Sequence, residues 1–126
     1  MSRVLYVEDE CLLQMDGEAW LREAGYEVIL ASDGQSACAS LCQDDAGYDA
    51  LITDIDLPGD VQGWQIAALS REINRRLPVV YVSGQALRDF QQMGVPRSIM
   101  MPKPFEWPRL VESLSELIVA ERAGSS

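Results

Sequence analysis

Short apolar runs alternate along the chain with segments in which apolar residues recur every three or four positions. The runs are rich in Val, Ile, Leu and Tyr and predict strands, whereas the periodic segments predict amphipathic helices. The predicted strands are RVLYV (3–7), YEVILA (26–31), DALIT (49–53), PVVYV (78–82) and RSIMM (97–101). The predicted helices are one that ends at Gly25, then 34–43, 63–74, a short one around 85–92 and a last one from about Trp107 to Ala120.

The helical periodicity also predicts which side chains face inward. The predicted inward residues are Leu13, Gly17, Trp20, Leu21 and Ala24 in the first helix, Ile66, Ala67, Ser70 and Ile73 in the third, and Leu110, Leu114, Leu117 and Ile118 in the last. Five strand–helix pairs indicate an α/β fold with a parallel sheet covered by helices on both faces. The nearly continuous apolar strands agree with burial on both sides.

Composition narrows the classes of function. The chain has 126 residues, enough for one domain with a sizeable core, and its net charge of −10 argues against direct binding to nucleic acid. No apolar run reaches the roughly 20 residues of a membrane span, and the N-terminus lacks a signal peptide, so we expect a cytoplasmic location. The absence of histidine excludes Ser-His-Asp and Cys-His catalysis and HExxH zinc sites. Met1 directly before the first strand favours a complete chain.

Polar side chains stand where the predicted strands end. Glu8 and Asp9 follow the first strand, Asp54 the third, Ser83 the fourth and Lys103 the fifth. Ligand sites of open α/β sheets lie at the carboxyl ends of the strands. If the first and third strands are neighbours, as in the flavodoxin-like order, the three acidic residues converge in one crevice.

Electrostatics then indicates what such a crevice binds. Two carboxylates about 4 Å apart repel by about 4 kcal/mol at an effective dielectric constant of roughly 20. Lys103 offsets one charge, and a hard divalent cation with oxygen ligands, such as Mg²⁺, offsets more. A carboxylate beside Mg²⁺, a lysine and a serine hydroxyl has the groups needed for phosphoryl transfer to aspartate.

Each residue also has an ordinary structural interpretation. The acids of EDE (8–10) favour a helix N-terminus through its dipole, Asp54 suits a loop cap, Ser83 suits a helix N-cap and Lys103 suits the surface. Arg71, Arg75 and Arg76 suit a solvated helix end. The coincidence of such residues with four strand ends favours a single site over four unrelated explanations.

Four motifs carry a family resemblance: VLYVEDE, ALITDIDLPG, VVYVSG and PKPF. With them the sequence resembles the receiver domain of bacterial two-component response regulators over essentially its whole length. The resemblance implies a (βα)5 flavodoxin-like three-layer sandwich with strand order 2-1-3-4-5. It implies a receiver domain at 1–122, followed by a short C-terminal tail at 123–126. It also implies phosphorylation by a sensor histidine kinase or a histidine phosphotransfer protein.

The resemblance assigns roles residue by residue. Asp54 corresponds to the phosphorylated aspartate, Ser83 to the hydroxyl that turns toward the phosphoryl oxygens, and Lys103 to the lysine that pairs with them. Asp9 would bind Mg²⁺ directly, Glu8 through water, and Asp56 through its backbone carbonyl. The Lys103–Pro104 bond corresponds to one that is cis in the family, which proline permits at low cost.

Two departures from the family pattern affect the expected signalling. Met100 stands three positions before the lysine, where the family usually has an aromatic residue whose rotation reports phosphorylation. Tyr81 is a substitute to consider, although a strand tyrosine is more often a core residue. The segment PGDVQGW (58–64) is one residue longer than the common form of the loop beside the acceptor.

The leading hypothesis is a stand-alone receiver that takes a phosphoryl group onto Asp54 and signals by protein–protein contacts through the fourth predicted helix, the fifth strand and the last helix. It is not expected to be a multiple-turnover enzyme, and it is expected to be a monomer or weak dimer with an unidentified downstream partner. One alternative is a binding-only pseudo-receiver. Another is a small aspartate-nucleophile phosphatase, since DID (54–56) is similar to the DxD motif of haloacid-dehalogenase-like enzymes.

Overall fold

Strands and helices alternate through the part of the chain that the structure, a computed structural model, describes: residues 2–84, 90 and 93–124. The elements are β1 (Arg3–Val7), α1 (Cys11–Glu23), β2 (Glu27–Ala31), α2 (Gly34–Leu41), β3 (Ala50–Asp54), α3 (Gly63–Ile73), β4 (Val79–Ser83), β5 (Ile99–Pro102) and α4 (Trp107–Gly124). The predicted helix around 85–92 lies almost entirely outside the described residues. No described helix has the length and apolar character to cross a membrane.

The strands form one parallel sheet in the order β2-β1-β3-β4-β5, which confirms the predicted order. β1 lies between β2 and β3, and its register aligns Val7 with Thr53. β3 pairs on its other side with β4, where Asp54 aligns with Val82. The residues after β1 and the end of β3 therefore reach the same edge of the sheet.

Alternate residues of each strand pack into two separate hydrophobic cores, one on each face of the sheet. Residues such as Val4, Tyr6 and Ile52 pack with side chains of α1 and α4 on one face. Leu5, Val7 and Leu51 pack with side chains of α2 and α3 on the other face. Because both faces are covered, the central strands carry apolar residues at successive positions, which is the pattern that predicted a parallel sheet.

Several predicted details are wrong. Trp20, Ala24 and Ile73 do not face inward: Trp20 is 45% exposed, Ile73 is 55% exposed, and Ala24 is exposed beyond the end of α1. Helical periodicity identifies an apolar side, but burial also needs a neighbouring element to cover that side. In α1, only Gly17 and Leu21 are fully covered.

The arginine group also differs from its prediction. α3 ends at Ile73, so Arg75 and Arg76 lie beyond the helix. The half-buried guanidinium of Arg71 donates hydrogen bonds to the backbone carbonyls of Leu77, Pro96 and Arg97, at 2.7, 2.6 and 3.1 Å. The prediction of a solvated helix end is therefore wrong for Arg71, because three loop carbonyls accept hydrogen bonds from its guanidinium.

Candidate functional site

Three carboxylates meet at the carboxyl edge of the sheet. Glu8, Asp9 and Asp54 each place an oxygen within 4.8 Å of the others. Glu8 and Asp54 are buried, with 1% and 5% of their surface exposed, while Asp9 is exposed. The predicted convergence is confirmed, because β1 and β3 are neighbours and end at the same level. Asp54 is the last residue of β3 itself, one position deeper than the sequence predicted.

Lys103, the only lysine of the chain, connects the two buried acids. Its Nζ donates to Asp54 Oδ2 at 2.9 Å and to Glu8 Oε1 at 3.2 Å. Its backbone N–H donates to the Ser83 carbonyl at 2.8 Å, which fixes the start of the loop after β5 against the end of β4. The peptide bond to Pro104 is cis, as predicted. From the end of β5, Lys103 thus reaches past β4 to the acidic ends of the neighbouring strands β3 and β1.

The charges of the cluster are not balanced by Lys103 alone. Burial raises the pKa of the Glu8 carboxyl, and the nearby charge of Asp54 raises it further. Burial by itself lowers the pKa of Lys103, but its hydrogen bond to Asp54 and the charges of both acids outweigh this effect, so the pKa is raised. Three acids against one cation leave a surplus of negative charge with only oxygen donors. That donor set fits a hard divalent cation.

Asp56 and Ser83 also lie at this edge of the sheet. The Asp56 side chain is exposed, and its backbone N–H donates to Asp54 Oδ1 at 3.3 Å. Its carboxylate is not one of the three that cluster. Ser83 is buried as the last residue of β4, next in sequence to Val82, which aligns with Asp54. The roles that the resemblance gives these two residues remain predictions.

Gln62 is a residue of this site that the sequence analysis missed. Its side chain accepts from the Leu57 N–H at 2.9 Å and donates to the carbonyls of Leu57 and Gly59 at 3.0 and 3.1 Å. It also forms a capping box with Gln65 at the start of α3. The longer loop beside the acceptor is therefore held in shape by one side chain. The spacing Q-x-x-Q before an apolar run was the available signal.

Gly63 was missed for a different reason. A Cβ at this position would lie 2.4 Å from the Asp54 carbonyl oxygen and 2.7 Å from Ile55 Cα. Its N–H donates to the Ile55 carbonyl at 2.9 Å. The first residue of α3 thus packs directly on the backbone of the acceptor strand, a contact between distant segments that no local pattern indicates.

Tyr81 is a core residue, as a strand tyrosine usually is. It is fully buried, lies 4.7 Å from Trp64 and 5.8 Å from Phe90 between ring centroids, and accepts a hydrogen bond from the Val95 N–H at 3.0 Å. Burial raises the pKa of its hydroxyl. Met100 is partly buried against the same core. The side chain at the position of the family's aromatic residue is therefore an aliphatic core contact.

Comparison with known proteins identifies the family. The sequence profile described as "Response regulator receiver domain" matches residues 4–115. The chain belongs to this family. Its fold superposes with a TM-score of 0.92 on a response regulator receiver protein from Sinorhizobium medicae WSM419, which is 37% identical and matches 95% of this chain and 96% of that one.

Two further relatives are a receiver domain from a sensor histidine kinase and a transcriptional regulatory protein. The receiver domain of sensor histidine kinase PA1611 from Pseudomonas aeruginosa PAO1 was solved with a magnesium ion coordinated in its active site cleft; it is 31% identical, with a TM-score of 0.77 over 93% of this chain and 97% of that one. The transcriptional regulatory protein PcoR of Escherichia coli is 29% identical over 98% of this chain and 54% of its own length. The chain spans about half the length of PcoR and similar transcriptional regulators.

The family membership settles the class of function. Receiver domains of two-component systems accept phosphoryl groups from histidine kinases, and the cluster of Glu8, Asp9 and Asp54 agrees with a phosphoacceptor aspartate beside a metal site. Nothing in the described residues or in the comparisons favours the pseudo-receiver or the phosphatase.

Proposed function

We propose that Asp54 is the residue that carries the phosphoryl group. The observation that supports this most strongly is the contact of its Oδ2 with Lys103 Nζ, since a cation at 2.9 Å from the nucleophile also lies where phosphoryl oxygens would arrive. Oδ1 accepts a longer bond of 3.3 Å from the Asp56 N–H. The carboxylate is thus held in one orientation at the end of a rigid strand.

The transfer step uses one oxygen of Asp54 as the nucleophile. That oxygen attacks the phosphorus of a phosphohistidine in the donor protein, the O–P bond forms as the N–P bond breaks, and the imidazole nitrogen keeps the electron pair and takes a proton from solvent. Lys103 changes partner from the Asp54 carboxylate to the phosphoryl oxygens. Glu8 remains beside Lys103 and keeps its ammonium group in place.

The acidic cluster would hold Mg²⁺ through Asp9, Asp54 and the backbone carbonyl of Asp56. Both Glu8 oxygens already have partners, Lys103 Nζ and the Glu10 N–H, which supports contact through water rather than direct binding. Bound Mg²⁺ would neutralise charge on the transferred phosphoryl group. The magnesium ion in the cleft of the PA1611 receiver domain supports the choice of metal.

The output of this receiver domain is proposed to be a change of protein–protein contact. Ser83 ends β4, and its carbonyl accepts from the backbone N–H of Lys103, directly after β5. Movement of the Ser83 hydroxyl toward a phosphoryl group on Asp54 would therefore displace the end of β5. The donor would be a sensor histidine kinase or a histidine phosphotransfer protein. In line with the receiver family, we propose an acceptor with slow hydrolysis rather than a multiple-turnover enzyme.

Intact-mass measurement tests the acceptor. Wild type and Asp54→Asn are incubated with Mg²⁺ and either acetyl phosphate or phosphoramidate, whose N–P bond resembles that of phosphohistidine. We expect one labile phosphoryl adduct on wild type and none on Asp54→Asn. Asp60→Asn, a change at an exposed aspartate of the same loop, is the matched control and should keep the adduct. An adduct on Asp54→Asn would refute the assignment.

A further inference from the structure

The opposite end of the sheet contains a pocket that phosphoryl transfer does not use. Its volume is about 200 Å³, and it lies where β4 and β5 begin. Arg71, Arg76 and Arg97 line it, together with Pro78 and apolar residues of α4. Glu121 is the one acidic side chain of this lining. A protein with a net charge of −10 thus gathers three cations around one small cavity.

Backbone contacts hold Arg71 and Arg97 in place without neutralising them. Arg71 donates only to carbonyl oxygens, and Arg97 donates to the carbonyl of Arg75 at 3.0 Å. Carbonyls are neutral, and each guanidinium has five N–H donors, so both groups keep charge and donors for another acceptor. Burial lowers the pKa of Arg71, and the neighbouring positive charge of Arg97 lowers it further.

Arg76 adds an independent observation. Its Nε lies 3.4 Å from Glu121 Oε1, close enough for an ion pair, but the alignment makes no hydrogen bond. Among the buried side-chain nitrogens and oxygens of the described residues, Arg76 Nε is the atom without a hydrogen-bond partner. Buried polar atoms of proteins are nearly always paired. Arg76 Nη2 donates to the Glu121 backbone carbonyl at 3.3 Å, so an acceptor in the pocket would add to this bond.

We propose that this arginine pocket binds a small polyanion that carries phosphate groups. Guanidinium groups match phosphate oxygens in charge and in paired hydrogen bonds. The volume suits a small anion and is too small for a folded segment of another protein. The proposal is independent of phosphorylation at Asp54, which lies at the other end of the strands.

The test titrates pyrophosphate into the protein without Mg²⁺ and follows arginine Nε–H and backbone amide signals by NMR. We expect saturable shifts of the Nε signals of Arg71, Arg76 and Arg97 and of amides near Leu117 and Ala120. The absence of saturable shifts there would overturn the proposal. The proposal would also be overturned if the largest shifts occurred around Lys103 and Gly84, because the anion would then bind at the carboxyl edge of the sheet beside Asp54.

Two substitutions distinguish specific binding in the pocket from nonspecific attraction of pyrophosphate to nearby positive charge. Arg97→Gln removes a pocket cation that makes one backbone contact, and it should raise the Kd for pyrophosphate at least about tenfold. Arg75→Gln removes the same charge from the adjacent exposed arginine outside the pocket and should change the Kd within about twofold. Equal weakening by both would overturn the proposal. If Arg97→Gln does not fold, the wild-type shift pattern decides.

Discussion

The two ends of the parallel sheet carry opposite charges in the same proportion. At the carboxyl end, Lys103 pairs with two members of the cluster of Glu8, Asp9 and Asp54; at the amino end, three arginines and Glu121 line one pocket. The ends differ in burial. Glu8 and Asp54 are almost fully buried, whereas Arg76 and Glu121 keep 40% and 27% of their side chains exposed.

This difference in burial determines how strongly each group of charges affects the stability of the fold. Acids at the ends of central strands are removed from water by the sheet and its helices, so their pairing with Lys103 matters for stability. The arginines come from a helix end and loops, and water screens part of their charge. Perturbing the two ends should therefore have unequal consequences.

Removing the positive charge of Lys103 should reduce the free energy of unfolding more than any other change proposed here. Lys103→Gln leaves two buried carboxylates without their shared partner, and we expect the free energy of unfolding to fall by about 3 kcal/mol. Urea denaturation without Mg²⁺ measures it. The loss should shrink as the pH is lowered, because protonation removes the buried charge. Arg109→Gln, an exposed cation of α4, is the control, and an equal loss there would show that only net charge matters.

Crowding the acceptor backbone should have the next largest effect. Gly63→Ala places a methyl group 2.4 Å from the Asp54 carbonyl oxygen, and backbone atoms cannot move aside cheaply. We expect about 2 kcal/mol of destabilisation, measured by urea denaturation. Gly84→Ala adds a methyl group that meets no atom of the described residues within 4 Å, and it should be close to neutral. Equal stability of the two variants would show that α3 shifts without cost.

Magnesium should stabilise the acidic end by a smaller amount. A ligand at tenfold excess over its Kd raises the free energy of unfolding by about 1.4 kcal/mol. The melting temperature of wild type should therefore rise with MgCl₂, and Asp9→Asn should weaken the rise. Asp44→Asn, at an exposed aspartate outside the cluster, should not. A rise that survives Asp9→Asn would contradict the proposed ligand set.

The smallest effect is expected at the arginine end. Glu121→Gln removes the counter-charge of a partly exposed ion pair, so the free energy of unfolding should change by only about 0.5 kcal/mol. Pyrophosphate binding should become tighter, because the pocket loses its one acidic side chain. Calorimetric titration and urea denaturation of the same variant measure both. A loss as large as that of Lys103→Gln would erase the contrast between the two ends.

The sequence alone determined the fold class, the strand order through its family resemblance, and the convergence of Glu8, Asp9 and Asp54. These followed from local patterns: apolar runs show strands, and polar residues directly after strands reach one edge of a parallel sheet. Burial of side chains was less predictable. Trp20 and Ile73 share the periodicity of buried residues, but their side chains remain 45% and 55% exposed.

Only the tertiary structure decided the contacts between distant segments. Lys103 reaches Glu8 across 95 positions, Gly63 packs on the backbone of Asp54, and Arg71 meets Arg97 across 26 positions at a shared pocket. Each contact depends on how loops and helix ends are placed after the sheet forms. Periodicity describes one element at a time, so it carries no information about where two such ends meet.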